Sequence, residues 1–433
     1  MADLLSSLPD ELIYHIFSFV PIKELVRTCV LSKRWQHIWA STPYLNFENI
    51  RYNNEVSASF INRFLSLYSS ETIEKFSLRN ITWFKRDDFK MDESATYMPW
   101  LQFAVDCGVK DLSVCACECQ LPLLVHSCSS IVKLELYSLI IGPIGSISWP
   151  LLKSLTINCP VSWLSDDDIR KILIGSPKLE FLKLRSCKFI NDIEVKSSSV
   201  RELVIDGFTS AKDCMHPPLE IYTPKLRVLR ILGHVLMDVR LTNVSSVVEA
   251  EINFCHAENT TMTSEGKHPF NTNMLKQLHG ATKFTIGDDW LKALSSEKEE
   301  RTEFPVLKWN VLIVETDFER RSSPTLAELL ECTRHLEKLI IRISGYTYGY
   351  DTEDPFWSTQ KSIFSHLEKC LKSVHIIGLN PDYDRWDAVF NMAANFGSKI
   401  RIHWDQVVAK WIDRISSIQR LRDLPCEYSR PVE

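Results

Sequence analysis

The sequence contains little glycine, only 13 residues in 433. It has no glycine-rich loop of the kind whose backbone amides hold phosphate groups. It also lacks the Gly-x-Ser-x-Gly turn of serine hydrolases and the His-Glu-x-x-His helix of zinc proteases. Because no motif supplies a nucleophile, a general base or a phosphate cradle, we predict a non-catalytic protein without a cofactor.

Basic charge and long apolar runs are lacking as well. The chain has 50 Lys and Arg against 55 Asp and Glu, a net charge of −5. This balance argues against binding nucleic acid or an anionic membrane surface, because there is no basic excess to neutralise phosphates. No apolar run approaches the roughly 20 residues of a membrane-spanning helix, and no signal peptide is visible. We therefore expect a protein of the cytoplasm, the nucleus or both.

The 13 cysteines are an odd number scattered through apolar segments, which is typical of reduced thiols rather than of a disulfide framework. The densest cluster is Cys115, Cys117 and Cys119, whose side chains would share one face of a strand and could approach a soft metal ion. No further ligand follows at a recognised spacing, so we predict structural thiols and no metal site. The three aspartates at 166–168 could suggest a cation, but the positive end of a helix explains them.

The N-terminal 40 residues carry more apolar side chains than three short helices can bury among themselves. A first helix follows Pro9, because proline suits the first turn of a helix, and it carries Leu12 and Ile16 at helical spacing. Pro21 ends it, and two further short helices follow, the last with Trp35. An ordinary helical start to a globular domain is one interpretation, and a segment that must pack on a partner is the other.

The order and spacing of the Leu8-Pro9 pair and the run Val-Leu-Ser-Lys-Arg-Trp at 30–35 make residues 1–48 resemble an F-box. The F-box is the motif by which a substrate receptor docks on the Skp-type adaptor of a cullin–RING ubiquitin ligase. The resemblance implies eight residues towards or beneath the adaptor interface, with the Leu-Pro pair in contact and the tryptophan partly in the core: Leu8, Pro9, Leu12, Ile16, Leu25, Val30, Leu31 and Trp35.

After residue 70 a short alternation of apolar positions recurs, as is typical of strands with one face in a core. From residue 112 to residue 250 successive anchors lie 21 to 27 residues apart, within the roughly 20–29 residues of leucine-rich repeats. Such repeats prefer Asn or Cys three residues past the last apolar position, where this chain has Cys117, Cys187 and Cys255. The predicted inward pairs are Phe76/Leu78, Leu112/Val114, Leu134/Leu136, Leu155/Ile157, Leu182/Leu184, Leu203/Ile205, Leu229/Ile231, Ala250/Ile252, Phe284/Ile286, Trp309/Val311, Leu339/Ile341 and Val374/Ile376.

Residues 60–290 are therefore predicted to form irregular leucine-rich repeats similar to those of plant-type F-box proteins. An amphipathic helix followed by a strand, at 324–341, resembles the FBD region that closes many of those proteins. Residues 291–433 would then continue and cap the solenoid, whose open end otherwise exposes its core. The expected fold class is α/β, with an N-terminal three-helix F-box followed by a leucine-rich-repeat solenoid and a C-terminal cap.

What the resemblance implies is a non-catalytic substrate-recognition subunit of an SCF-type (Skp–cullin–F-box) ubiquitin ligase. The F-box would bind the adaptor and, through it, the cullin, and the repeats would hold a target protein. Two alternatives stay open: an adaptor-binding regulator that forms no ligase, and a receptor whose repeats hold a small molecule. The sequence does not identify the target.

Two further segments allow more than one interpretation. The basic pair Lys33-Arg34 could contact nucleic acid, but in an F-box it would lie near the acidic adaptor surface. The aromatic segment at 346–357 could anchor a partner, because aromatic side chains often dominate interfaces. We favour an insertion folded against the C-terminal region.

Overall fold

The structure is a computed structural model. It describes the following residues: 7–48, 54–79, 93–115, 120–140, 145–160, 163–189, 193–210, 219–235, 239–255, 270–297, 304–318, 322–343, 356–359, 367–378, 386–393, 396, 401–404 and 426–428. The chain divides into two compact units. Unit 1 comprises residues 1–200 with 208–213, and unit 2 comprises residues 201–207 with 214–433.

Unit 1 begins with short helices that proline residues delimit. Pro9 precedes the first helix, and its carbonyl accepts the amides of Leu12 and Ile13 at 3.1 and 3.2 Å. Pro21 stands in the same place before the second helix. The helices are α1 (Asp10–Phe17), α2 (Ile22–Arg27) and α3 (Trp35–Ile38), with 3-10 turns at Thr28–Val30 and Trp39–Ser41.

The rest of unit 1 is a parallel sheet in which each strand is followed by a return segment. Its strands pair in the order β1-β2-β3-β4-β5-β7, and β6 adds to β7. The elements are β1 (Tyr44–Glu48), α4 (Asn54–Leu67), β2 (Lys75–Arg79), α5 (Glu93–Asp106), β3 (Asp111–Cys115), α6 (Leu123–His126), β4 (Lys133–Tyr137), β5 (Ser154–Asn158), β6 (Trp163–Leu164), α7 (Asp166–Gly175), β7 (Phe181–Phe189) and β8 (Ile193–Lys196).

Unit 2 has the same parallel architecture, with the strand order β9-β11-β13-β14-β15-β16-β17-β18-β19 and a separate β10–β12 pair. Its elements are β9 (Glu202–Ser210), whose last three residues belong to unit 1, β10 (Leu219–Tyr222), β11 (Val228–Val235), β12 (Val239–Thr242), β13 (Glu249–Cys255), α8 (Phe270–Leu278), β14 (Lys283–Ile286), α9 (Asp288–Glu297), β15 (Val311–Thr316), α10 (Ser323–Cys332), β16 (Lys338–Ile343), α11 (Phe356–Thr359), α12 (Leu367–Cys370), β17 (Ser373–Gly378), α13 (Trp386–Ala393), β18 (Arg401–Trp404) and β19 (Cys426–Tyr428).

Each sheet is held by ladders of apolar side chains in strict register. In unit 1 the partners Leu112, Leu134 and Leu155 occupy successive strands, and each is fully buried. Because side chains alternate across a strand, every second residue enters the core and the others face away from it. The predicted fold class, N-terminal helices followed by parallel repeats, is confirmed.

One predicted repeat is out of phase. The sequence predicted Trp309 and Val311 as an inward pair, but the structure aligns Leu312 and Val314 with the preceding pair, Phe284 and Ile286. Residues 311–314 are all apolar, so alternation alone could not fix which of them face inward, and an odd shift exchanges the two faces. Trp309 is still fully buried, before the strand begins.

The sheet also begins earlier than predicted. Strand β1 lies inside the segment that the sequence assigned to the F-box, residues 1–48, and pairs in parallel with β2. Its Leu45 and Phe47 are fully buried, so the last residues of that segment already belong to the sheet core. Among the described residues, no helix is long and apolar enough to cross a membrane.

Candidate functional site

Helix α1 separates its apolar residues onto two faces. Ile13 and Phe17 point inward and are 0% and 1% exposed, whereas Leu12 and Ile16 point outward and are 50% and 41% exposed. The next residue of the outer face, Phe19, follows the helix and is 75% exposed. Contiguous apolar side chains are rarely left exposed on a monomeric protein, and such a row often marks a surface that a partner covers.

A second exposed apolar group lies at the 3-10 turn after α2. Ile22 and Leu25 hold α2 to the core and are 1% and 0% exposed. Val30 and the residue after the turn, Leu31, are 83% and 55% exposed. We call the exposed residues of these two groups, together with Pro9, the apolar docking surface: Pro9, Leu12, Ile16, Phe19, Val30 and Leu31.

Two of the eight residues expected at or beneath the adaptor interface lie beneath the surface. Leu25 is fully buried, and Trp35 is 4% exposed, so neither can touch a partner directly. Leu8 is half-buried and Pro9 exposed. Phe19 was absent from the predicted set, although its spacing from Leu12 and Ile16 is helical and could have indicated it.

An ion pair ties the two exposed groups together. The Arg34 guanidinium donates to the carboxylate of Asp10 at the start of α1, which places the segment following Leu31 beside the first turn of α1. Arg27 pairs with Glu24 on the surface of α2 at 2.7 Å. Lys33 is exposed. Exposed pairs of this kind contribute about 0–1 kcal/mol each, so they orient the segment more than they stabilise it.

The cysteine cluster gives no metal centre in the described part of the chain. Cys115 is half-buried, and Cys117 and Cys119 lie outside the described residues. The described residues hold no group of three or more metal-ligating side chains. Cys187 is buried, and its thiol donates to the carbonyl of Arg185 at 3.3 Å. Burial raises the pKa of this thiol, so it acts as a neutral donor within β7.

The acidic run at 166–168 is the start of helix α7, as predicted. Ser165 caps the helix, and its hydroxyl and amide donate to the Asp168 carboxylate at 2.7 and 2.9 Å. Asp167 pairs with Lys171 at 2.7 Å, and Asp166 pairs with Arg170. Each of these three carboxylates therefore already has a bonding partner within the protein.

The aromatic segment falls largely on residues 344–355, which lie outside the described residues. Its last member, Trp357, is fully buried and donates its indole N–H to the hydroxyl of Ser323 at 3.1 Å. Its ring also packs edge-on against Phe318, 6.4 Å between centroids. This tryptophan therefore belongs to the core of unit 2.

A polar surface covers the face of each sheet that points away from the core. In unit 1 Arg79 bonds Glu135 at 2.9 Å and lies over the ring of Tyr137, 4.3 Å from its centroid, while Lys133 bonds the same glutamate at 2.8 Å. Burial would raise the pKa of Glu135, but the two cations hold it below its usual value. In unit 2 the same role falls to Arg230, which pairs with Glu202, Glu249 and Glu251.

Comparison with known families agrees with this geometry. The F-box domain model matches residues 5–46, the segment that carries the apolar docking surface. A second model, the At1g61320/AtMIF1 LRR domain, matches residues 64–382. This match continues past residue 290, and the FBD-like assignment of the C-terminal region stays a prediction.

The curated relatives are F-box proteins, and two of the three named here are F-box/LRR-repeat proteins. The F-box/LRR-repeat protein At5g02910 of Arabidopsis thaliana is 33% identical over 348 residues, covering 78% of this chain and 72% of that protein. The putative F-box/LRR-repeat protein At5g02930 of the same plant is 30% identical over 412 residues, covering 91% and 81%. The F-box protein At5g03100 is 32% identical over 305 residues, covering 68% and 91%. The chain belongs to the plant F-box/leucine-rich-repeat family.

Proposed function

We propose that this protein is the substrate-recognition subunit of an SCF-type ubiquitin ligase. The observation that carries the proposal is the apolar docking surface, six side chains that the chain leaves uncovered within the segment matched by the F-box model. F-box domains in general bind Skp1-type adaptors. The adaptor would bury these side chains and link the chain to a cullin.

In this mechanism the protein performs no chemistry. It holds a target near the ubiquitin-charged conjugating enzyme, and the rate of transfer rises because the reactants are concentrated and oriented. The polar faces of the two sheets are the surfaces proposed for the target, since their paired charges can exchange partners at a polar interface. Such a complex would operate in the cytoplasm, the nucleus or both, where the thiols stay reduced.

The proposal is tested by co-purifying the full chain with a Skp-type adaptor. Val30→Asp places a charge at the most exposed residue of the docking surface, which the complex would bury. We expect adaptor affinity to fall by about 2 kcal/mol or more, roughly thirtyfold in Kd, as for other interface hot spots.

The matched control is Ile174→Asp, because Ile174 is likewise an apolar side chain, 74% exposed, but lies in α7. It should leave adaptor binding unchanged. A folded wild-type chain that binds no adaptor, or a Val30→Asp variant that binds as well as the control, would refute the proposed docking surface. Adaptor binding without recruitment of cullin would instead indicate a regulator that forms no ligase.

A further inference from the structure

Strands β16 to β18 of unit 2 carry basic side chains on the sheet face that points away from the core. At the start of these strands, Lys338 of β16, Ser373 of β17 and Arg401 of β18 are register partners in one row. All three point outward, because the next residue of each strand is buried. Neighbouring strands lie about 4.8 Å apart, so both cationic side chains can reach a group placed above Ser373. We call these three residues the basic patch.

The two cations of the basic patch have no counter-charge among the described side chains. Three other cations of the same sheet face each bond at least one glutamate: Arg230, Lys283 and Arg342. Lys338 and Arg401 form no ion pair with any side chain that the structure describes. Glu337, the acid next to Lys338 in the chain, pairs instead with Lys372 at 2.8 Å. The basic patch therefore attracts an acidic group from outside the described residues.

The next row of the same three strands shields the basic patch from part of the solvent. It consists of Ile340, His375 and His403, all half-buried, and Glu427 of β19 follows in register with His403. The two imidazole rings stack with their centroids 4.5 Å apart. Burial, then the charge of Lys338 and the neighbouring His403, lowers the pKa of His375 to about 4, so that ring is uncharged at neutral pH. Because this row excludes water beside the cations, an ion pair there is stronger than one on an open surface.

We propose that the basic patch binds an acidic segment of the target protein, whose carboxylates bond Lys338 and Arg401 and accept from the Ser373 hydroxyl. The inference rests on the proposed function, in which the outward sheet faces hold a target. Carboxylates fit because two cations without counter-charges flank a hydroxyl donor. In an extended segment, side chains two residues apart point the same way and lie about 7 Å apart. Two carboxylates at such positions can each reach one cation.

The experiment measures the fluorescence anisotropy of a labelled hexaglutamate peptide titrated with the full chain at low salt. Lys338→Gln and Arg401→Gln each remove one cation, and the control is Lys283→Gln. Lys283 lies in the same row, two strands from Lys338, but bonds Glu249, so its loss changes the net charge equally. We expect each patch variant to bind about threefold more weakly and the double variant about tenfold, as for ion pairs at a protein surface. The control should match the wild type, and a hexaglutamine peptide should not bind.

A wild-type chain that does not bind hexaglutamate, or a double variant that binds it equally well, would overturn the inference. Complete displacement of the peptide by inorganic phosphate at the same concentration would also overturn it, because the basic patch would then be a site for a free anion. Neither adaptor nor cullin is present in this titration, so its outcome is separate from that of the co-purification.

A second measurement needs no variant. Acetylation of the wild-type chain, followed by mass spectrometry, should slow at Lys338 when hexaglutamate is added. It should stay unchanged at Lys225, an exposed lysine between β10 and β11. Equal acetylation rates at Lys338 with and without the peptide would place the acidic segment elsewhere and overturn the inference.

Discussion

Phe17 and Trp35 pack edge to face in the core of the N-terminal helices, with ring centroids 5.6 Å apart and planes 71° from parallel. The contact joins α1 to α3, which are separated by α2 in the chain. The inner face of α1 contacts Trp35, while Leu12 and Ile16 of its outer face stay exposed, where the proposed adaptor would bind. Core and docking surface can therefore be altered separately.

Trp35→Ala should destabilise the helical region without touching the docking surface. Removing a buried tryptophan costs about 3–5 kcal/mol through lost contacts and an unfilled cavity. Urea denaturation followed by circular dichroism should show a lower midpoint for the transition that includes these helices. Adaptor binding should weaken only in proportion to the fraction of molecules whose N-terminal helices are unfolded.

Trp35→Phe is the matched control for that variant. The indole N–H of Trp35 is buried and has no hydrogen-bond partner in the described part of the chain, so replacing it removes an unsatisfied donor as well as some packing. We expect this change to cost much less than the alanine substitution. An alanine variant as stable as the phenylalanine variant would show that the Phe17 contact does not hold the helices together.

Gly175, the last residue of α7, should tolerate no larger side chain. A Cβ atom there would lie 2.5 Å from the carbonyl oxygen of Ile147, while the Gly175 carbonyl accepts the amide of Trp149 at 2.8 Å. The backbone at the end of α7 therefore lies in direct contact with the backbone of residues 147–149. Gly175→Ala should destabilise unit 1 by about 1–3 kcal/mol, the usual cost of overpacking, measured as a shift in the urea midpoint.

The control for this substitution is Gly280→Ala. Gly280 follows α8, and a Cβ atom there meets nothing within 4 Å. This variant should be neutral or more stable by up to about 1 kcal/mol, since alanine restricts the unfolded chain. If both variants unfold at the wild-type midpoint, the close approach of Gly175 and Ile147 does not constrain the fold.

Much of the repeat architecture could be predicted from alternation alone, because each inward leucine or isoleucine must enter one core. The pattern failed at residues 311–314, where apolar residues occupy both faces, and it did not indicate β1. Alternation also could not show the left-handed residue that directly follows β4 and interrupts β7, β9 and β11. Ser138, Ser186, Gly207 and Gly233 all have positive φ, from 48° to 75°. Serine rarely adopts this conformation, so the sequence did not indicate a left-handed residue at the two serine positions.

At the N-terminal helices the sequence indicated the segment and its apolar residues, whereas which of them contact a partner stays a prediction. Helical spacing identified which residues are apolar, and the F-box resemblance identified the segment. Neither could decide which side of a short helix faces the core. That depends on the Phe17–Trp35 contact and on how Leu25 packs, which are properties of the folded helices together.

The buried thiols should resist alkylation in the folded protein. Burial raises the pKa of Cys159 to about 12 and raises that of Cys187 as well. Because the thiolate is the reactive form, iodoacetamide at pH 7.5 should leave both residues unmodified by mass spectrometry. The same residues should react fully in urea. Rapid modification of Cys187 in folded protein would contradict its burial in β7.

His126, the last residue of α6, should make unit 1 sensitive to acid. The side chain is 4% exposed, and neither ring nitrogen has a hydrogen-bond partner among the described residues. Burial lowers the pKa of this imidazole below its usual value of 6.5. As the pH falls through 6.5, this imidazole becomes protonated in the unfolded chain but stays neutral in the folded chain. Its contribution to the free energy of unfolding is therefore complete above pH 6.5 and decreases below it.

His126→Phe removes this titration while keeping an aromatic ring in the same space. The melting temperature of the wild-type chain should fall between pH 7.5 and pH 5.5 by more than that of the variant, because only the wild type loses the contribution of His126. Other histidines titrate equally in both proteins, so the difference between the two decreases isolates this residue. Equal decreases in the two proteins would mean that His126 is solvated or already paired in the folded chain.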